Sequence, residues 1–277
     1  MFTLNCRGKI LTIERPLVMG ILNATPDSFY EGHLTKSADE VVGVVKKMVK
    51  DGADIIDVGG QSTRPGSERI NAKEEIKRVL PVIELVKKKF PETVISIDTY
   101  SSEVATAAVN AGAAIINDIS SGDMDDRMLE TAAALQTPFV CMHMQGTPQT
   151  MQQHPVYNNV VTDLLDYFCN KLQQCKNAGI NDVIIDPGFG FGKTIEHNFT
   201  LLKNLHAFSI FNAPLLVGLS RKSTIYKTLH ITAEAALNGT TVLNTIALQN
   251  GAAILRVHDV KEAKEAIILS ETYKKAP

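Results

Sequence analysis

The chain has 277 residues, 44 % of them hydrophobic and 21 % charged, with 28 Lys and Arg against 30 Asp and Glu for a formal net charge of −2. That balance excludes the basic footprint of a nucleic-acid binder, and apolar stretches of a handful of residues fall short of the roughly 20 that cross a bilayer. A small anionic ligand stays possible, because a basic pocket can sit on a neutral protein. The opening residues Met1-Phe2-Thr3-Leu4-Asn5-Cys6-Arg7 lack the basic start and apolar run of a secretory signal. Cys6, Cys141, Cys169 and Cys175 show no C-x-x-C spacing, so free thiols in a reducing cytoplasm are expected.

In chain order, residues 2–13 read as a short hairpin turning around Asn5–Lys9, placed to close one end of a barrel. Eight short apolar, β-branched runs follow at 17–22, 54–59, 94–99, 114–119, 139–144, 183–188, 215–220 and 254–259. Near-continuous apolarity, not strict alternation, suits parallel strands buried on both faces. Between them lie helical patterns. Asn71 can cap a helix with Glu74 three residues on, and Ile76, Val79, Leu80, Ile83 and Val86 share one face, with Pro81 expected to kink it. A recurrent joint, Asp51-Gly52-Ala53, Ala111-Gly112-Ala113, Ala178-Gly179-Ile180 and Asn250-Gly251-Ala252, puts a glycine where a helix ends just before a strand. Eight strands with intervening helices match an α/β (β/α)8 TIM barrel, which typically takes about 250 residues. A doubly wound open sheet is the structural alternative, but the glycine fingerprint of its first turn is missing. No linker or low-complexity tract divides the chain, so residues 1–277 read as one domain.

In such a barrel, chemistry gathers on the loops after the strands. Asn23, Asp57, Asp98, Asn117, His143, Asp186, Arg221, Lys222, Ser223, Arg256 and His258 stand at those ends. Asp98, Asn117, Asp186 and Lys222 suit a flat, nitrogen-rich heterocycle. Arg64, Arg221, Lys222 and Arg256, with Asn23 and His258, suit an anion and a hard metal ion. Gly188-Phe189-Gly190-Phe191-Gly192-Lys193-Thr194 imitates a phosphate loop, but the first glycine of that pattern falls on Pro187. Among these strand-end residues no Ser/His/Asp or Cys/His arrangement stands out, and Cys141 reads as packing on the fifth of the eight runs.

Two loop segments are distinctive. Asn23-Ala24-Thr25-Pro26-Asp27-Ser28-Phe29 and Gly59-Gly60-Gln61-Ser62-Thr63-Arg64-Pro65-Gly66 resemble the two signatures of the dihydropteroate synthases, pterin-binding TIM barrels. Ile97-Asp98-Thr99, Ile116-Asn117-Asp118, His143-Met144-Gln145-Gly146-Thr147-Pro148, Asp186-Pro187-Gly188-Phe189-Gly190-Phe191, Ser220-Arg221-Lys222-Ser223 and Arg256-Val257-His258-Asp259 match in order, over essentially the whole chain. Gln61 and Glu31 depart from the glutamate and aspartate common there. The resemblance implies a transferase that joins 6-hydroxymethyl-7,8-dihydropterin diphosphate to 4-aminobenzoate. The products are 7,8-dihydropteroate and pyrophosphate, in folate biosynthesis. It implies Asp98, Asn117, Asp186 and Lys222 on the pterin, and the strand-end apolar residues Met142, Ile119 and Phe191 are candidates to line its slot or to pack in the core. Phe29, Thr63, Pro65, Lys222 and Ser223 are implied on 4-aminobenzoate, and Asn23, Arg64, Arg256 and His258 on the diphosphate. Mg2+ is the implied cofactor, with Asn23 as its protein ligand, and a homodimer formed through helices far from the site is the implied assembly. Asp98, Asp186, Lys222 and Arg256 are the residues it makes catalytic. Residues 25–34 and 62–68 are expected to order when the anion binds. The rival classes are a pterin-binding methyltransferase barrel, with no pyrophosphate to manage, and a non-catalytic pterin-binding protein.

Overall fold

A computed structural model describes residues 1–24, 38–61, 69–151 and 155–277. The chain opens with an antiparallel hairpin, β1 (Phe2–Cys6) and β2 (Lys9–Ile13), in register from Phe2 opposite Ile13 to Cys6 opposite Lys9. Eight parallel strands follow: β3 (Leu17–Asn23), β4 (Ile55–Gly59), β5 (Val94–Asp98), β6 (Ile115–Asp118), β7 (Phe139–Met142), β8 (Val183–Asp186), β9 (Leu216–Val217) and β10 (Ile254–Val257). Their order around the sheet is β8-β7-β6-β5-β4-β3-β10-β9. A parallel bridge from Ile185 to Leu215, with the Ile185 N–H on the Pro214 carbonyl at 3.0 Å, brings β8 against the approach to β9 and rounds the sheet into a barrel. All eight sequence-predicted strands are present. β3 and β4 reach or pass the ends of their runs, whereas β5 to β10 stop earlier because the last residues of those runs already turn into the loops, and β9 keeps only two residues.

Helices α1 (Ala38–Asp51), α2 (Ala72–Lys89), α3 (Ser102–Ala111), α4 (Met128–Leu135), α5 (Val160–Ala178), α6 (Ile195–Lys203), α7 (Ser223–Leu229), α8 (Leu237–Gln249) and α9 (Val260–Lys274) surround it. The α2 cap forms as expected, the Asn71 side chain accepting from the Glu74 N–H at 2.9 Å. The other half of the expected capping box does not form there, because the Glu74 carboxylate pairs with Arg78 at 3.1 Å instead. α2 runs on through Pro81, which lies on its exposed side. Gly52, Gly112, Gly179 and Gly251 all have φ between 92° and 124°, so each repeated joint is a turn that strains any side-chain-bearing residue.

The strands bury both faces. Outward residues such as Val18, Ile56, Val58, Ile97 and Ile116 pack beneath the helices. Inward residues Leu17, Met19, Ile55, Val94, Ile115, Val140, Ile184, Leu216 and Ile254 form a second core at the N-terminal end of the barrel, with Leu4, Cys6 and Ile13 of the hairpin in the same cluster. The hairpin is therefore a plug. It is tied down by the Asn5 N–H on Asp182 at 2.7 Å and by Arg7 on the Val109 carbonyl.

Candidate active site

Side chains alternate between faces along a strand, so the inward positions that begin apolar continue to the far end. There they change character: Ile55 is followed by Asp57, Val94 and Ser96 by Asp98, Ile115 by Asn117, Ile184 by Asp186, and Ile254 by Arg256. The apolar plug below and the polar ring above are two ends of one set of side chains. Asp57, Asp98, Asn117 and Asp186 are all buried.

Arg256 binds the ring together. Its Nε donates to Asp57 Oδ2 at 2.7 Å and its Nη2 to Asp98 Oδ2 at 2.5 Å, while Asn117 Nδ2 donates to the same Asp57 oxygen at 3.0 Å. Burial pushes the Asp98 carboxyl up to about 7, with Arg256 opposing and Asp57 and Glu75 adding to the rise. For Arg256, burial works against the charge, but Asp57 and Asp98 outweigh it and hold the guanidinium firmly protonated. Asp186 is also raised by burial, against the pull of Lys222 and of the Gly188 N–H, which donates to its Oδ1 at 2.7 Å.

Lys222 stands opposite these carboxylates. Its ammonium donates to the Phe189 carbonyl and lies 4.7 Å from the centre of the Phe191 ring. Burial draws it down to about 8, with Asp186 opposing, so it is a cation at neutral pH whose charge is easily moved. Ile119 and Met142 form a small buried cluster with Tyr100, against which Phe191 and Met144 pack. His258 follows β10, and Ser220 ties it to the β9 loop: Ser220 Oγ is 3.0 Å from His258 Nδ1 and accepts from the His258 N–H at 3.2 Å. Asn23 ends β3 beside Gly59. The structure thus brings Asp98, Asn117 and Arg256 into one network and sets Asp186 with Lys222. Phe29, Thr63, Arg64 and Pro65 lie outside the described residues, as do 25–34 and 62–68.

Two expectations need correction. Arg221 does not face an anion site: its Nε and Nη2 grip Asp259 at 2.9 Å each, and its Nη1 donates to the carbonyls of Ala233 and Glu234. Its own φ of 54° turns it away from the strand direction. Ser223 opens α7, with Lys222, next to it, in the cap position. His143 is anchored rather than presented. Lys193 donates to its Nδ1 at 2.9 Å, Tyr167 meets its ring edge-on with centroids 4.7 Å apart, and burial holds the imidazole neutral, with a pKa lowered to about 2.

Asp57, a strand-end carboxylate that the sequence assigns to neither subsite, sits at the centre of the network. Its signal was a carboxylate inside the apolar run Ile55-Ile56-Asp57-Val58. Lys193 lies in the segment that imitates a phosphate loop, and the sequence gives it no other role. It is buried, with its Nζ on the carbonyls of His143, Gly188 and Phe191 at 3.2, 3.0 and 3.0 Å, and it stitches the β8 loop to the end of β7. Cys141 is fully buried, and its contact with Cys175 together with burial keeps the thiol well above its ordinary range, in keeping with packing.

Comparison with known proteins follows the same lines. Residues 19–258 match the family described as "Pterin binding enzyme". The chain is 45 % identical over 267 residues to the dihydropteroate synthase of Escherichia coli (strain K12), covering 96 % of this chain and 94 % of that one. It is 43 % identical over 266 residues to that of Haemophilus influenzae (strain ATCC 51907 / DSM 11121 / KW20 / Rd), covering 95 % and 96 %. The crystal structure of Yersinia pestis dihydropteroate synthase in a sulfonamide drug complex is similar at TM-score 0.93 and 42 % identity, covering 99 % of this chain and 100 % of that one. The Xanthomonas albilineans dihydropteroate synthase in complex with 7,8-dihydropteroate is similar at TM-score 0.89 and 36 % identity, with both chains fully covered.

Proposed function

This chain belongs to the dihydropteroate synthase family of pterin-binding transferases in folate biosynthesis, and from that premise we propose how its strand ends share the work. The reaction joins 6-hydroxymethyl-7,8-dihydropterin diphosphate to 4-aminobenzoate. The amine nitrogen bonds to the methylene carbon, the carbon–oxygen electron pair leaves with pyrophosphate, and the nitrogen releases a proton to solvent. A weakly basic aromatic amine is a modest nucleophile, so the protein gains most by stabilising the leaving group and the cation left on the ring.

The observation that carries this reading is the buried Asp57–Arg256–Asp98 network with Asn117 and the nearby Asp186 and Lys222. Asp98 and Asp186, when ionised, accept from ring N–H groups and stabilise positive charge spreading into the dihydropterin. Asn117 reads the amide-like edge. Asp57 touches no substrate in this scheme. It fixes Asn117 and Arg256 from below, so that the guanidinium is held before the diphosphate arrives. Arg256, His258 and Arg64 take the diphosphate, while Thr63, Pro65, Phe29 and Ser223 take 4-aminobenzoate beside Lys222. The amide oxygen of Asn23 is a hard donor of the kind Mg2+ accepts, and that ion commonly keeps waters and substrate phosphates for most of its coordination. Bound there, Mg2+ would neutralise charge on the pyrophosphate. No helix among the described residues is long and apolar enough to cross a membrane. The four free cysteines suit a cytoplasmic enzyme. Exposed Val242 on α8 with Leu269 and Tyr273 on α9 supports a homodimer through these outer helices.

Pyrophosphate release measured with both substrates, with and without Mg2+, tests the whole reading. Release that requires 4-aminobenzoate and rises with Mg2+ is expected, and methyl transfer from a methylfolate without pyrophosphate release would overturn it. The raised carboxyls add a pH signature. Asp98 must be ionised to accept from the ring, so kcat/KM for the pterin substrate should fall as pH drops through about 7. Stability should move the other way. A carboxyl with a higher pKa in the folded chain than in the unfolded one stabilises the fold most at low pH, and that contribution is lost as pH rises through about 7. Glu75, raised by burial to about 7, adds in the same direction. Rate and melting profiles between about pH 5.5 and 8.5 check this, and rate and stability falling together on acidification would count against the assignment.

A further inference from the structure

The connection leaving β4 is fixed closely as far as Gln61. Gly60 lies so near α2 that a Cβ there would meet Val79 at 2.7 Å and Glu75 at 3.0 Å, and Arg78 donates to the Gly60 carbonyl at 3.3 Å. Gln61 then makes two bonds of different reach. Its Oε1 accepts from the Ile70 N–H at 3.3 Å, across the base of the segment that leaves at 61 and returns by 70. Its Nε2 donates to the Tyr100 hydroxyl, on the β5–α3 connection two residues beyond Asp98. Tyr100 is buried in the cluster with Ile119 and Met142, and the Arg69 guanidinium covers its ring at 4.9 Å from the centroid. One amide therefore clips together the two ends of the β4–α2 connection and hangs that clip on the wall proposed for the pterin slot.

We propose that Gln61 and Tyr100 are a positioning pair for the second substrate, fixing the base of the β4–α2 connection against the pterin wall. The proposal rests on the reading that Thr63 and Pro65, carried by that connection, meet 4-aminobenzoate. An amide and a carboxylate reach the same two partners here in different ways. A glutamate at 61 can still accept from both the tyrosine hydroxyl and the Ile70 N–H, but only by reversing the sense of the tyrosine bond. Gln61 donates to Tyr100 and leaves the phenol proton free for a second acceptor.

Steady-state kinetics on the full-length enzyme, varying each substrate in turn, test the pair through Gln61→Ala, Tyr100→Phe, the double variant, Gln61→Glu and Thr63→Ala. Tyr100→Phe should raise KM for 4-aminobenzoate about fivefold, the effect of losing one hydrogen bond, and Gln61→Ala, which also frees the Ile70 N–H, should raise it at least as much. KM for the pterin diphosphate should change by less than twofold. The double variant should match the worse single one instead of multiplying them, because both break the same link. Gln61→Glu should recover most of the loss. Equal rises in both Michaelis constants would mean that the pair merely supports the fold and would overturn the proposal, as would multiplying effects or an unchanged KM for 4-aminobenzoate. Thr63→Ala separates the two levels. If it raises KM for 4-aminobenzoate while the clip variants do not, the pair alone is refuted; if it has no effect, the placement of the second substrate falls and takes the proposal with it.

Discussion

Replacing Arg256 with methionine should lower kcat/KM for the pterin diphosphate by about two to three decades, the usual cost of removing one preorganised group that stabilises developing charge. The guanidinium does two jobs at once. It faces the diphosphate in the proposed mechanism, and within the structure it is the one cation hydrogen-bonded to both Asp57 and Asp98 among the described contacts. Removing it leaves two buried carboxylates close together, and breaking such a pair from one side costs about 3–5 kcal/mol when the remaining charge persists. The charge need not persist, because Asp98 is already raised to about 7 and can take a proton. The loss of stability should therefore be smaller at low pH, and the acidic limb of the rate profile should move to higher pH. Arg256→Lys separates the two jobs. A single ammonium keeps the charge but cannot reproduce the fork that reaches Asp57 through Nε and Asp98 through Nη2. It should fall between wild type and methionine in both rate and melting temperature. Thermal melts at two pH values with steady-state kinetics decide the matter. A methionine variant with near wild-type kcat/KM would remove Arg256 from the mechanism.

How far the site could be read in advance depended on the range of the signals. The eight strands and the four glycine joints are local patterns, and both appear where the sequence places them. The inward ring was also visible in outline, because Asp98, Asn117, Asp186 and Arg256 interrupt apolar runs where barrel packing has no use for them. The partners were not visible. Asp57 and Arg256 are 199 residues apart, and only barrel closure makes them neighbours. The same holds for Arg221. A cation beside Lys222 at a strand end looked like part of an anion site, but Asp259, 38 residues later, captures it in a two-pronged pair. Lys193 shows the opposite case. Its neighbourhood fails as a phosphate motif, yet glycines that let backbone approach backbone serve equally well to bury a lysine among carbonyls. Residues 2–13 are legible in the sequence because amphipathic alternation and a barrel needing a floor point the same way. Helix α2 shows the limit of a local rule: its cap formed, while Glu74 found Arg78 one turn along.

Gly188→Ala should be the most damaging single methyl group that can be added near the site. Gly188 has φ of 68°, where an alanine costs about 1–2 kcal/mol by itself. The larger effect is contact, because a Cβ built there would lie 2.0 Å from the His143 carbonyl oxygen and 3.3 Å from the Met142 side chain. The nearer atom is backbone at the end of β7, held from the other side by Lys193 and by the His143 N–H on the Asp186 carbonyl at 3.1 Å. Neither partner can yield without breaking bonds that the site uses: the Gly188 N–H on Asp186 Oδ1, and Lys193 on the Gly188 carbonyl. Strain, overpacking and a disturbed buried network add up to more than about 4 kcal/mol. Protein that still folds should bind pterin at least tenfold more weakly, since the carboxylate that accepts from the ring has lost its orienting amide. Gly190→Ala is the informative control. It too has positive φ, 81°, but its Cβ would meet only the flexible stem of Lys222, at 3.2 Å. That variant should lose about 1–2 kcal/mol from backbone strain and keep the fold. Thermal melts rank the pair, and calorimetric titration with the pterin reads the site directly. Equal losses at the two glycines would show that φ alone governs this loop and that the close approach to His143 is not a constraint on the active site.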